Sequence, residues 1–466
     1  MTVPNSILPT ASLSSGIESK TATVPRALGC THRGSRARLS HRCPLFLQVR
    51  ARIALLALIT LASTSSNAMA FASSARNVVR FEEPGAVVAP TVPSDSTAVT
   101  NPQTTPSSPG SPTTSKVTKI ACGSPAVILA QPMSWRMANL VVVGVKNTDL
   151  VRAQNTVKTY GIGGVLVRGT PRPSDGPALR KLRDLRSEMP TFVAVDEEGG
   201  RVQHLKKAIG PLPSALVMAK TKTAEQVRVM ARKHAVAMRA LGFNVDLGPV
   251  LDLYNGEGNG IGDRAFSDSP ETVTAYGQAF AQGLLEGGIF PVLKHWPGGG
   301  SADGDPHNKG TTTKKYDDLK VADLLPFNKV SSALGVGIMV GHQQVPGLSD
   351  LPSSVSELAI TQVLRAENRF NGLVISDSLS MWSIQYHWPA PKAAEMALRA
   401  GNDVLLFDDE PGIAQIISAL TDAGNADKAL AARAVDANLR VMVAKGIPLC
   451  EGMAITLPVP PKKPQL

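Results

Sequence analysis

Between residues 139 and 407 the chain alternates two patterns of hydrophobic and polar positions. Unbroken apolar runs fall at 139–145, 164–168, 191–196, 244–251, 291–295, 337–342, 372–377 and 403–407. Stretches with apolar residues at helical spacing occupy 177–188, 223–241, 270–287, 321–334, 356–368 and 391–400, and two more follow at 412–423 and 429–444. A short apolar run without alternation is what a strand buried on both faces requires, and parallel strands need a helix on the crossover. The pattern therefore predicts an α/β protein with a parallel sheet. Eight such units favour a single (β/α)8 TIM-type barrel, with an open doubly wound sheet as the second choice; no G-x-G-x-x-G fingerprint supports the latter. A short helix is expected at 132–138 with Pro132 in its first turn, and Thr223 and Ser356 stand where helix caps are needed.

The 466-residue chain is organised differently outside this region. Residues 1–70 read as a leader with a secretory signal: Arg50 and Arg52, the apolar run IALLALITLA at 53–62, then small residues ending in Ala68-Met69-Ala70. That run is shorter than the roughly 20 residues of a membrane span. Residues 71–118 contain PTVPSDSTAVTNPQTTPSSPGSPTTS and read as a disordered linker. The expected catalytic domain is then 119–453, followed by a Pro-rich tail at 454–466. The formal charge of +11 changes meaning with this division. Residues 1–70 hold 8 Lys/Arg and 1 Asp/Glu, which leaves 40 cationic and 36 acidic groups, only +4, elsewhere. So small an excess argues against a nucleic-acid partner. Cys30 and Cys43 lie in the leader, whereas Cys122 and Cys450 bracket the folded part; an exported protein is expected to pair them.

The ends of the apolar runs carry the chemistry. The third ends in Asp196, Glu197 and Glu198, followed by Gly199, Gly200 and Arg201; Asp263 and Arg264 follow the fourth. The fifth opens PVLKHWPGGGSADGDPH, delivering Lys294 and His295, then glycines, then Asp303, Asp305 and His307 on a loop expected to be mobile. His342 ends the sixth and Asp377 the seventh. Barrel enzymes place reacting groups at these ends. Asp377 is placed for nucleophilic attack, His307 can shuttle a proton near neutral pH, and Asp305 can orient its ring. Lys294 and Arg264 are expected to keep Asp377 ionised. Each has a structural alternative: Asp377 as a helix cap, Lys294–Asp196 as a purely structural pair, His295 and His342 as core histidines. Glu197 and Glu198 are expected to satisfy turn amides or pair with Arg201. Ser376 and Ser378 lack a G-x-S-x-G elbow, so a serine hydrolase is not expected. The His and Asp residues are suitable metal ligands, but no H-x-H or H-E-x-x-H pair occurs, so no metal or cofactor is expected.

The blocks VDEEGGRVQHL, IGDRAF, KHWPGGGSADGDPH, IMVGHQQVPGL and GLVISDSLSM, in this order, resemble the signature blocks of glycoside hydrolase family 3, and most nearly its single-barrel β-N-acetylglucosaminidases. The resemblance covers about residues 125–445. It implies Asp377 as catalytic nucleophile, His307 as acid/base and Asp305 as its partner, with Asp196, Arg264, Lys294, His295 and His204 binding the sugar. Three positions depart from the family pattern: His204 where Arg is usual, Gly299 where His is common, and Pro306 where Ser or Gly is common. The implied activity is exported, retaining removal of terminal β-linked N-acetylglucosamine from peptidoglycan fragments by a monomer. The alternatives are a β-glucosidase, a phosphate-using phosphorylase, and a non-catalytic cell-wall sugar-binding barrel.

Overall fold

A computed structural model describes residues 119–257, 260–409 and 412–459. The leader, the linker and the last seven residues of the tail lie outside them. Eight parallel strands form one sheet: β1 (Val141–Lys146), β2 (Gly164–Arg168), β3 (Phe192–Val195), β4 (Val245–Asp246), β5 (Phe290–Trp296), β6 (Gly337–Val340), β7 (Val374–Ser376) and β8 (Leu405–Phe407). Each pairs with its sequence neighbours, and β1 pairs with β8 in the register Val141↔Leu405. A bridge from Ile375 to Val404 joins the seventh strand to the eighth and closes the ring. The expected barrel is thus the observed one. Its interior is filled with apolar side chains, among them Val142, Phe192, Ala194, Leu247, Ile375 and Leu406, so any site must lie at its mouth.

The helices on the crossovers are α1 (Leu150–Tyr160), α2 (Gly176–Arg183), α3 (Ala224–Leu241), α4 (Pro270–Glu286), α5 (Leu324–Ala333), α6 (Leu358–Glu367), α7 (Ala390–Ala400), α8 (Ile413–Ala426) and the closing α9 (Lys428–Ala444). Their starts follow the expected caps. The Thr223 hydroxyl accepts from Gln226 N–H and the Ser356 hydroxyl from Ala359 N–H, while Pro132 stands just before the helix Met133–Ala138.

Four differences from the sequence reading have local causes. Helix α1 was not anticipated because its buried face includes Gln154 and Thr156 alongside Leu150, Ala153 and Val157, which dilutes the apolar period. The run 244–251 is a strand only at Val245–Asp246, because Gly248 and Pro249 interrupt it before Val250 bridges to Lys294. The stretch 321–334 is not one helix: Tyr316–Val321 and α5 meet at a break at Ala322 and Asp323. Helix α6 is wound as a π-helix, its last amide running from Asn368 N–H to Val363 O.

Cys122 and Cys450 are joined, 328 residues apart in sequence. Gly123 and Leu449 pair beside the bridge, and Ile120 N–H donates to Glu188 O, so the ends of the domain are tied together where the strands begin. On that same side Arg365 holds the buried Asp403 carboxylate at 2.7 Å, with Arg433 and Arg440 beside it. Among the described residues no helix is long and apolar enough to cross a membrane.

Candidate active site

The strand ends converge on a cavity of ≈330 Å3 at the barrel mouth. After β3 the chain makes a hairpin, Glu197–Gly199 against Val202–Gln203. Gly199 sits at φ +97°, and a Cβ there would lie 2.2 Å from Pro213 O, so only glycine fits the turn. The hairpin sends the two glutamates to different places. Glu197 is fully buried and accepts from Leu205 N–H (2.8 Å), Gln203 Nε2 (2.9 Å) and His234 Nε2 (2.8 Å), the turn-satisfying role expected of it.

Glu198 enters the cavity wall instead. Arg264 grips it with two hydrogen bonds, 2.7 and 2.8 Å, and Lys294 Nζ lies 2.6 Å from it. Lys294 also donates to Asp196 Oδ1 at 2.6 Å. Arg201, the partner expected for the glutamates, pairs with Asp263 at 3.0 Å and donates to Gly260 O and Ile261 O. Burial alone would raise the Glu198 carboxyl and lower the Lys294 amine. The mutual charges override it, so Glu198 falls far below the usual carboxylate range and Lys294 rises. A signal for Glu198 was present: residues two apart in an extended segment face the same way, so Asp196 directed into the mouth implies Glu198 beside it.

β5 delivers Lys294 and His295. His295 Nδ1 lies 2.6 Å from Asp252 Oδ2, and Asp252 also accepts from the backbone N–H groups of His295 and Gly299. This leaves His295 Nε2 toward the cavity, 3.5 Å from Arg264 Nη2. Asp252 was missed although it stands one residue past the apolar run 244–251. The Gly299 departure has a steric counterpart: a Cβ there would come within 2.9 Å of Gln343 Nε2 and 3.4 Å of Asp252 Oδ1.

Asp377, just past β7, is 7% exposed and lines the cavity. Its Oδ1 accepts from Ser378 N–H at 2.8 Å. His342 lies behind it as a satisfied buried histidine. Its Nε2–H donates to Ser378 O (2.8 Å), Ser354 Oγ is 2.6 Å from Nδ1, and burial lowers its pKa. Burial works to raise the Asp377 pKa, but the fields of His342 and His295, the Ser378 amide and His307 together hold it below the ordinary value. This corrects the expectation that Lys294 and Arg264 keep Asp377 ionised. Those two cations are taken up by Asp196 and Glu198.

The loop after β5 carries Asp305 and His307. Asp305 Oδ1 accepts from His307 N–H (3.0 Å) and lies 2.6 Å from His307 Nδ1, so Nε2 is the nitrogen left available. Pro306 between them does not prevent this pairing. Burial raises the Asp305 carboxyl less than these bonds and the charges of His307 and Arg264 lower it. His307 is 59% exposed at the rim. Asp303 ties the loop by accepting from Thr312 N–H (3.0 Å) and donating its own N–H to Thr312 O (3.0 Å), while Gly260, at φ +81°, abuts the Asp305 carboxylate. His204 Nδ1 lies 2.7 Å from Gly169 O on the opposite wall.

All eight residues expected at the site, Asp196, His204, Arg264, Lys294, His295, Asp305, His307 and Asp377, line this one cavity. Besides Glu198, Arg168 and Asp408 also line it and were missed, although they stand at the end of one apolar run and just past another. Among the described residues no group of three or more His, Cys, Asp or Glu side chains is arranged to hold a metal ion. A carboxylate held below its ordinary pKa, in one cavity with a histidine that is itself paired to a second carboxylate, can support nucleophilic displacement with proton transfer.

The sequence matches the family described as glycosyl hydrolase family 3 N terminal domain over residues 133–443. The β-hexosaminidase LpqI of Mycobacterium tuberculosis is 40% identical over 352 residues, 73% of this chain and 89% of the relative. A solved glycosyl hydrolase of the same family from Mycobacterium smegmatis superposes with a TM-score of 0.65 at 38% identity, covering 69% of this chain and 99% of that one. The β-N-acetylhexosaminidase of Beutenbergia cavernae superposes at 0.63 with 25% identity, over 68% of this chain and 99% of that one.

Proposed function

The chain belongs to glycosyl hydrolase family 3, and from that premise we propose that it is a retaining β-N-acetylglucosaminidase with Asp377 as nucleophile and His307 as acid and base. The observation that carries this reading is the buried Asp377 carboxylate lining the same cavity as the Asp305–His307 pair, with the surrounding charges and the Ser378 amide holding its pKa below the ordinary value.

In the first step an Asp377 oxygen bonds to the anomeric carbon. The bond to the leaving oxygen breaks, and that oxygen takes a proton from His307 Nε2. In the second step His307 Nε2 takes a proton from water, the water oxygen bonds to the anomeric carbon, and Asp377 leaves with the electron pair. Asp305 keeps the ring oriented and stabilises its protonated form, the logic of a Ser-His-Asp triad. Asp196, Lys294, Arg264, His295 and His204 hold the hydroxyls and the N-acetyl group of a terminal β-linked N-acetylglucosamine. Glu198 fixes Lys294 and Arg264 so that neither drifts onto Asp377.

The natural substrate in this reading is a soluble peptidoglycan fragment in which that sugar is linked to N-acetylmuramic acid. The chain acts as a monomer outside the cytoplasm. The signal-like leader supports export, and the Cys122–Cys450 bridge suits an oxidising compartment. Aryl β-N-acetylglucosaminide should be turned over in preference to aryl β-glucoside. Asp377→Asn should fold and lose turnover by ~10^4-fold or more, and a 2-fluoro glycosyl fluoride should label Asp377. Label on another carboxylate would overturn the assignment.

A further inference from the structure

Aromatic side chains are scarce in this chain, 11 Phe, 5 Tyr and 4 Trp among 466 residues. Among the described residues only Tyr160, Trp382 and Tyr386 are exposed aromatic side chains. Two of these three stack on each other, with ring centroids 4.5 Å apart and planes inclined by 21°. The stack still leaves 68% of Tyr386 and 42% of Trp382 open to solvent. Scattered apolar groups on a surface need no explanation, but a contiguous pair of large rings held in water marks a surface that something else covers.

Local structure fixes the pair. Trp382 opens a short helix, Trp382–Gln385, whose buried residues are Ser383 and Ile384, so positions 382 and 386, one turn apart, share the outer face. Tyr386 N–H donates to Trp382 O at 3.1 Å. His387 meets the Tyr386 ring edge-on at 5.1 Å, and Trp388, 5.3 Å from His387, packs against the core. The segment before the helix is tied down as well. Leu379 N–H donates to Leu406 O (2.8 Å) and Ser380 Oγ to Asp409 Oδ1 (2.5 Å). The rings therefore stand in place before any ligand arrives, which lowers the ordering cost of binding.

Position and charge narrow the partner. The helix follows directly on the loop that carries Asp377, and Met381, next to Trp382, lines the catalytic cavity, whereas Trp382 and Tyr386 stand outside it. No Asp, Glu, Lys or Arg lies between Asp377 and Lys392, so a ligand recognised here needs no charge. An anionic lipid surface, which is met by Lys and Arg, does not suit such a stretch. A pyranose ring with equatorial substituents does: its flat face of C–H groups complements the negative face of an aromatic ring. We propose that Trp382 and Tyr386 form a platform, outside the catalytic cavity, on which a chain of β-linked N-acetylhexosamines stacks. The platform holds the enzyme on a glycan polymer, while the cavity takes the terminal sugar. The kind of sugar rests on the reading of the chain as an N-acetylglucosaminidase.

The test compares retention of the full chain on colloidal chitin, a neutral polymer of β-linked N-acetylglucosamine, with kcat/KM on an aryl N-acetylglucosaminide. Trp382→Ala combined with Tyr386→Ala should weaken the apparent affinity for chitin about ten-fold and leave aryl turnover within about two-fold of the parent. Trp382→Phe and Tyr386→Phe, which keep a ring, should retain most of the binding. Undiminished retention of the doubly substituted chain would overturn the proposal and leave the glycosidase reading to the aryl turnover. Ring-dependent retention by a chain that turns over no aryl substrate would support the platform and remove the glycosidase reading instead. Binding to phosphatidylcholine vesicles that depends on both rings, with none to chitin, would assign the surface to lipid and overturn the proposal.

Discussion

Asp323 is buried beneath the glycine turn that follows β5. It is 1% exposed, no other residue donates a hydrogen bond to either of its oxygens, and its side chain presses against Gly298. Burial, with the Asp252 charge adding to it and Lys314 opposing, pushes its carboxyl up to about 6. An acid whose pKa rises on folding holds its proton longer in the folded state. Its contribution is therefore favourable at low pH, fades as pH rises from the ordinary value of 3.8 through about 6, and remains a penalty above that. Asp323→Asn removes the ionisable group, so it should stabilise the protein at pH 8 by roughly 2–3 kcal/mol and change little at pH 4. Denaturant melts at the two pH values check this; an equal effect at both would show that Asp323 does not titrate in that range. The sequence alone does not disclose this residue, because VADLLPF reads as uninterrupted helix until the break at 322–323 is seen. Asp377 was legible as a site residue, since the apolar run ending in ISDS leaves a carboxylate at a strand end, where it lines the cavity. Glu198 and Asp252 were harder: one needed the direction of a hairpin, the other a contact 43 residues away.

At the scale of elements, the site exists because parallel strands end together. Each of the strands β3, β5 and β7 releases a charged residue at the cavity, and after β3 a hairpin and after β5 a glycine turn take the chain back. The barrel was readable because its strands are unbroken apolar runs buried on both faces. Helix α1 was not, because a helix can bury Gln154 and Thr156 when a neighbour offers partners; Gln154 Nε2 donates to Ala178 O. The hairpin after β3 was also unreadable, since EEGGRVQ carries no apolar alternation. That hairpin is nevertheless what separates Glu197, a structural acceptor, from Glu198, a member of the cavity wall. Pairwise contacts of this kind leave little trace in local pattern, whereas strand ends and glycine loops leave a clear one.

In the described domain the first and last segments of the barrel are joined by the Cys122–Cys450 bridge. Cys122 and Cys450 are 328 positions apart in sequence, so in the chain-entropy account the bridge limits the unfolded state by up to roughly 5 kcal/mol. It lies where the strands begin, away from the mouth. Replacing both cysteines by serine should therefore lower the denaturation midpoint while leaving kcat/KM on an aryl glycoside within about two-fold at 25 °C. Alkylation and intact mass of exported protein should find neither thiol free. Two alkylated cysteines in that material would contradict the bridge.

In the proposed mechanism a histidine on a glycine-rich loop, and not a second carboxylate at a strand end, supplies the proton. The dependence of kcat/KM on leaving-group pKa, compared between the parent and His307→Ala, decides between them. If His307 is the acid, the variant should lose about 10^2- to 10^4-fold on N,N′-diacetylchitobiose, whose leaving alcohol must be protonated, and far less on aryl glycosides with acidic phenols, so the plot steepens. Equal losses across all leaving groups, or none, would mean that a group other than His307 delivers the proton.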